Sequence, residues 1–309
     1  MNNLDRVMQG LDTDGIHVEC LRRSRCIETG AEVSSFFIRM PKIILPENNT
    51  HRVFSRNVGS GRAIPTMRLL ADVIQKPFRP LFWGRNQAGM QSGELLTGWA
   101  KLKAQFWWWF GARTAAMTTK GLHKAGLHKQ WANRPIEPYL YVSVLVTSTE
   151  WDNFFALRIH DAAQPEIISV AAKMKREMGR KKVCLVSNQN RMDAKNWHYC
   201  YITDEELVKH RNDPIYLAKL DTARAARTSY MTQAGMKPQP SKEIQTFLNL
   251  VGADPIHASP TEHSCYPLQD GEAYSGNFKG FGQFRKMVEA NVGGEPLFPD
   301  LKVLDQFKA

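Results

Sequence analysis

Between residues 139 and 146 apolar and β-branched side chains follow one another without a charge, the pattern of a buried strand. Thr147-Ser-Thr-Glu150 stands just ahead of Trp151, and a hydroxyl residue with an acid a few places on predicts a helix start there. In that helix Asn153, Arg158, Asp161, Gln164 and Glu166 are interleaved with Trp151, Phe154, Phe155, Leu157 and Ile167. At helical spacing Asn153, Leu157 and Asp161 share one face, with Arg158 beside it. An arginine and an amide among aromatics suit a pocket for an anionic or planar ligand; the ordinary alternative is a salt-bridged surface helix.

Elsewhere the pattern is plainer. Residues 34–45 predict a strand interrupted at Pro41, and residues 66–76 have a helical period that Pro77, Pro80 and Gly84 break. A second helix is predicted from about residue 93 to 125. It carries Phe106-Trp-Trp-Trp-Phe110, and aromatics on all sides of a helix imply burial in a subunit interface or a multi-helix core, or else a base-stacking surface. Residues 183–186 and 197–202 read as short strands or extended segments. A helix opens at Asp204 with acids in its first turn, and residues 241–251 form another. Residues 1–30 show little beyond a turn at Asp12, Asp14 and Gly15; residues 275–286 read as loop then helix, and residues 294–309 as a surface tail. The sum is an α+β (mixed α/β) chain: a small, mostly antiparallel sheet, carrying the segments around Arg52 and His257, packed with long helices.

The length of 309 residues, 43% hydrophobic and 23% charged, is that of a globular protein, read as a single domain over residues 1–309. Cys20, Cys26, Cys184, Cys200 and Cys265 form no CxxC pair, which suits reduced thiols in the cytoplasm and no metal site, although Cys200 lies near His198 and Cys265 near His263. No apolar run of membrane-spanning length occurs, so no membrane association is expected. The formal charge of +11, with basic clusters at residues 21–25 and 173–182, suits polyanions, either nucleic acid or nucleotides, dinucleotides and folates.

Residues 47–65 carry readable chemistry. Gly59 and Gly61 let backbone approach a ligand and Ser60 offers a hydroxyl. Arg52, Arg56 and Arg62 offer planar forks that match phosphate oxygens, so with exposed backbone N–H groups the segment makes an anion site. A plain Gly/Ser turn is the alternative.

Four segments together resemble the flavin-dependent thymidylate synthases. Asn153-Phe-Phe-Ala-Leu-Arg158 with Ala163-Gln-Pro-Glu-Ile167 is similar to that family's N-F-F-x-L-R and A-Q-x-E-I. His51, Arg52, Ser55, Asn57, Ser60 and Arg62 are similar to its R-H-R-x-x-S-x-N-x-x-S-x-R signature, with Thr50 in place of the first arginine and Val58 in place of an acid. Residues 223–230, ending Ser229-Tyr230, resemble A-R-V-S-Y/F, and Pro255-Ile-His257-Ala-Ser259-Pro-Thr-Glu262-His263 resembles G-H-x-S/T-P-x-E-H. Ala162 stands where members often have a flavin-contacting histidine. The last two segments follow the Arg158 helix here instead of preceding the arginine-rich signature, a phage-like, circularly permuted order in which residues 31–170 and 220–290 supply the two parts of the site.

The resemblance implies one-carbon transfer from methylenetetrahydrofolate to C5 of a deoxypyrimidine monophosphate, with bound FAD and with NADPH as reductant: dUMP to dTMP first, or hydroxymethylation of dCMP or dUMP instead. It implies Arg158 and Ser60 as catalytic residues, and Glu47, Ser60, Gly61, Arg62, Arg134 and Arg158 as substrate contacts. His51, Arg52, Ser55, Asn57, Asn153, Ser229, His257, Ser259 and Glu262 would contact FAD. It further implies a homotetramer with shared sites, in the cytoplasm (the host's, for a phage-encoded chain), and no stable nucleic-acid partner. The other class, a basic nucleic-acid-binding protein, rests on the charge and the tryptophans.

Overall fold

A computed structural model describes residues 2–230 and 239–292. In chain order the elements are α1 (Asn3–Gly10), β1 (His17–Cys26), β2 (Glu32–Pro41), α2 (Leu45–Asn49), β3 (Ser55–Val58), α3 (Thr66–Gln75) and α4 (Gly98–Lys124). There follow α5 (Lys129–Ala132), β4 (Tyr141–Ser148), α6 (Asp152–Arg158), α7 (Pro165–Arg180), β5 (Cys184–Val186), α8 (Asp204–Lys209) and α9 (Pro214–Tyr230). The last are α10 (Pro240–Val251), β6 (Cys265–Pro267), β7 (Tyr274–Ser275), β8 (Phe278–Lys279), β9 (Phe281–Gln283) and α11 (Phe284–Val292). Five strands form one sheet in the order β3-β4-β2-β1-β5, antiparallel except for the parallel β1–β5 pair. The class is α+β, a small mostly antiparallel sheet with long helices.

The alternation along the two central strands sets the layers. Phe36, Ile38 and Met40 of β2 and Val142, Val144 and Val146 of β4 point to one face, where they pack with Phe154, Ile167, Val170 and Met174 of α6 and α7. The opposite face is part polar and lies under α9 and the segments at 198–201 and 263–265. There Ser24 and Ser35 bond the two ring nitrogens of His198 at 2.9 and 2.8 Å, Ser35 bonds Thr147 at 2.6 Å, and Thr147 bonds His263 Nδ1 at 2.8 Å. Asp221 of α9 accepts from the backbone N–H of Cys200 and of Tyr201 and from the Ser264 hydroxyl.

Several expectations change. The single helix read through Trp151 to Ile167 is two, because α6 ends at Arg158 and α7 begins at Pro165, a residue suited only to a helix's first turn. Asp161 therefore leaves the shared face, and no side chain caps α6 at Trp151. The helix expected from about residue 93 starts at Gly98. The segment before His257 is not in the sheet, although Ser55–Val58 is. Residues 1–30 contain the ten-residue β1, hidden in the sequence by three arginines and by a register shift between Cys20 and Arg22 that breaks the alternation. Residues 275–283 form short strands rather than loop. The tail at 294–309 lies outside the described residues. All five cysteines are free, Cys200 and Cys265 are buried, and no group of metal-ligating side chains occurs among the described residues. Lys173, in a cluster read as a basic face, is buried against Asp14 at 2.5 Å. Among the described residues no helix is long and apolar enough to cross a membrane.

The buried histidines make stability depend on pH. Burial pushes His51 down to about 4 and His263 to about 3, and holds His198 well below its ordinary value. As pH falls through about 6.5 the unfolded chain takes up these protons and the native chain does not. Stability is therefore expected to fall steadily on acidification from near neutrality towards the folded values, by several kcal/mol in all. Urea unfolding midpoints measured across that range check it; a midpoint that holds constant or rises on acidification would contradict it.

Candidate active site

Arg158 is the last residue of α6, and its guanidinium reaches the segment following β2. Nε donates to His51 Nε2 at 2.9 Å. Nη2 donates to the Thr50 hydroxyl at 3.0 Å and to the Glu47 carbonyl at 3.3 Å, while Nη1 stands 3.8 Å from the Glu47 carboxylate. Burial, then the positive charges of Arg158 and Arg56, keep His51 neutral, so its Nε2 is free to accept and the proton sits on Nδ1. His51 is fixed in turn by rings, stacked on Phe54 and edge-on to Phe154. At 3.8 Å the ion pair is loose, and burial raises the Glu47 carboxyl against the opposing pull of Arg158, with Glu166 adding to the rise.

Arg158 and Glu47 form one wall of a cleft of about 540 Å³, whose other walls include Gln164, Glu166, Phe78 and Phe82. Glu166 is buried in the first turn of α7 and accepts from Leu81 N–H and the Gln164 amide, which pins the loop carrying Phe82 to the cleft. In the sequence Gln164 and Glu166 stood within the segment that resembles A-Q-x-E-I, and neither was given a site role. Thr50 supplies a hydroxyl to Arg158.

A second group gathers at residues 59–62. Ser60 Oγ accepts from Arg62 N–H at 3.3 Å, and its carbonyl accepts from Ala63 and Ile64, closing a tight turn. Asn133 anchors that turn by donating to the carbonyls of Gly61 and Ile64, and Lys129 donates to Ala63. Glu137 pairs with Lys42 at 2.5 Å and with Arg134 at 3.1 Å. A β-carbon on Gly61 would come within 3.3 Å of Glu137 Oε1 and 3.4 Å of Lys42 Nζ, so the glycine lets this ion pair press on the turn. A β-carbon on Gly59 would lie 3.4 Å from the Ser143 carbonyl and 3.6 Å from that of Thr228, which places the end of α9 beside the turn. Ser60, Gly61, Arg62 and Arg134 are thus brought together, with Lys42 and Lys129 near them; Asn133 and Glu137, which organise the group, carried no sequence signal.

The third group surrounds β3. The turn at Ser259–Glu262 packs against this edge strand, so two segments far apart in sequence are neighbours. Glu262 pairs with Arg285 at 2.5 Å and acts on Arg56, which itself donates to the Asn48 and His51 carbonyls. Asn57 is buried, and its Nδ2 has no partner among the described residues. Ser55 is buried too, but it is occupied by Asn277 and Gln283. Arg52, Asn153, His257 and Ser259 are exposed. The side chain of Ser229, at the end of α9, lies outside the described residues.

No family model and no curated protein matches the chain. Two solved structures of the UMP/dUMP methylase PolB from Streptomyces cacaoi are similar to it, one bound with 5-Br UMP and one with 5-Br dUMP. Each is 14% identical; they cover 54% of this chain and 90% and 91% of their own, with TM-scores of 0.43 and 0.44. A likeness of that size adds nothing to the chemistry of the site.

Proposed function

We propose that the chain transfers a one-carbon unit from methylenetetrahydrofolate to C5 of a deoxypyrimidine monophosphate, with dUMP as the first substrate to test and hydroxymethylation of dCMP or dUMP as the second reading. The observation that carries it is Arg158, held by three partners and lining a cleft of about 540 Å³. C5 of a pyrimidine is a poor nucleophile. A fixed cation at the ring edge stabilises the electron-rich form of the ring, and its orientation is set before the substrate arrives. The turn at Ser60–Arg62, ringed by Arg62, Arg134, Lys42 and Lys129, suits the phosphate. Arg158 and that turn would serve one substrate molecule either across the face of a single chain or between copies.

A flavin supplies the redox chemistry no side chain can, when bound. The residues fit one in part. Asn57 offers an unpaired buried donor beside the Ser259–Glu262 turn, and Arg52, His257 and Ser259 are open to a dinucleotide lying over the surface. Ser55, already engaged by Asn277 and Gln283, would support β3 rather than touch the ligand. His51 would act through Arg158, as its neutral acceptor.

A homotetramer is part of the reading. Phe106, Trp107, Trp109 and Phe110 of α4 are not covered by a multi-helix core among the described residues, and Trp107 is 64% exposed. So large an aromatic surface on a 27-residue helix is typical of a face covered by another subunit. Sedimentation of the purified protein is expected to give the mass of a tetramer, and introducing charge with Trp107→Glu and Phe110→Glu is expected to give smaller species. A wild-type protein that sediments as a monomer would remove this part of the reading. The function itself is tested by incubating the protein with methylenetetrahydrofolate, NADPH and either dUMP or dCMP, and weighing the nucleotide product.

A further inference from the structure

The cleft with Arg158 shares a wall, Pro80 and Phe82, with a second cavity of about 520 Å³. This cavity lies between α1 and residues 75–82, and no motif pointed to it. Arg6 of α1, Lys76 just beyond α3, and Arg79 line it from separate parts of the chain. Among the described residues none of the three is ion-paired. The acid on the lining, Asp14, is already neutralised by Lys173 at 2.5 Å and also accepts from Ser169. The cavity is therefore a concave surface bearing three positive side chains, Lys76 and Arg79 exposed and Arg6 half-buried, an arrangement that favours anions. Its remaining wall is apolar, including Val7, Pro77 and Leu81, and Phe82 packs on Val7 so that the partition between the two cavities is held in place.

On the proposed function the ring of the one-carbon donor enters the Arg158 cleft, and the rest of a longer molecule must then leave that cleft. The two cavities meet at Pro80 and Phe82, and on the far side of these residues stand Arg6, Lys76 and Arg79. We propose that this second cavity is a binding site for the oligo-anionic tail of a ligand whose ring enters the Arg158 cleft. The chemistry is several closely spaced carboxylates or phosphates. The source that fits the reading above is the γ-linked glutamate tail of a folate; the other source is the phosphate chain of a nucleotide. The identity of the ring rests on the proposed function, whereas the anion site does not.

The test uses the full-length protein and the triple variant Arg6→Ala, Lys76→Ala, Arg79→Ala, whose side chains make no structural ion pair and whose unfolding midpoint is expected to match wild type. Calorimetry would compare monoglutamyl tetrahydrofolate, oligo-γ-glutamyl tetrahydrofolate and inorganic tripolyphosphate. The oligoglutamyl form is expected to bind the wild type about tenfold tighter than the monoglutamyl form, a gain that weakens with added salt. The triple variant is expected to lose that gain and keep its affinity for the monoglutamyl form. If tripolyphosphate alone binds, and the triple variant loses it, the site stands with phosphate as its source and the folate reading fails. Equal binding of all three probes by wild type and variant, or no binding of the two anionic ones, would overturn the proposal.

Discussion

Arg158→Ala is expected to lower kcat/KM for the nucleotide by at least about a hundredfold while leaving the unfolding midpoint close to wild type, because a fixed charge at the developing anion is typically worth that much. The side chain sits at the edge of the core, not in it, so its removal leaves Phe154 and Phe155 packed. Its loss acts on the cleft in two ways. The ring edge loses its cation, and the Glu47 carboxyl loses the one charge that opposes its burial, so it rises further. Arg158→Lys is expected to recover little of the activity. A lysine ammonium cannot serve His51, Thr50 and the Glu47 carbonyl with the geometry of a planar fork. Steady-state kinetics on both variants, with thermal melts alongside, check this. Activity within threefold of wild type in Arg158→Ala would remove the residue from the reaction.

Asp221→Ala is expected to destabilise the fold by about 2–4 kcal/mol, the cost of leaving buried neutral donors without their acceptor less the carboxylate's own burial penalty. Asp221 is inaccessible, and its carboxylate accepts from Cys200 N–H, Tyr201 N–H and Ser264. Deleting it leaves three buried donors without an acceptor, each costing about 1–3 kcal/mol before relaxation. The same carboxylate ties α9 to the segments at 198–201 and 263–265, which carry His198 and His263 beneath the sheet. Burial raises the Asp221 carboxyl above its ordinary value, so the native state binds this proton more readily than the unfolded chain does. The penalty for keeping it ionised is therefore greatest near neutrality, and it declines as pH falls through the raised value. Urea unfolding of the variant near neutral pH measures the loss; a change below about 1 kcal/mol would mean that water replaces the carboxylate.

What the sequence disclosed follows the physics of its signals. β4 was legible because Val142, Val144 and Val146 are buried in a continuous apolar run, and α3 and α10 because their periods end at proline and glycine. β1 was not, since Arg22, Arg23 and Arg25 lie on a strand whose burial comes from a neighbouring helix and strand rather than from its own composition. The break between α6 and α7 was missed although Pro165 announces it, because the polar face looked continuous across it. At the site, Arg158, Glu47 and the Ser60–Arg62 turn were identified as residues, and their separation into groups was not. Pairings such as Arg158 with His51, or Glu137 with Lys42, span about a hundred positions and leave no local pattern. The polar network of Ser35, Thr147, His198 and His263 was illegible for the same reason: Ser35, Thr147 and His198 each read alone as an ordinary strand position, and His263 as the end of a motif rather than a partner of Thr147.

The most direct measurement is the mass of the nucleotide recovered after incubation of the purified, FAD-loaded protein with methylenetetrahydrofolate, NADPH and dUMP or dCMP in parallel. The expected result is a gain of one methyl group on dUMP, with a hydroxymethyl gain on dCMP or dUMP as the second reading, and loss of either gain in Arg158→Ala. Unchanged nucleotide in both arms, from protein that holds flavin and is folded, would contradict one-carbon transfer as the function of this cleft.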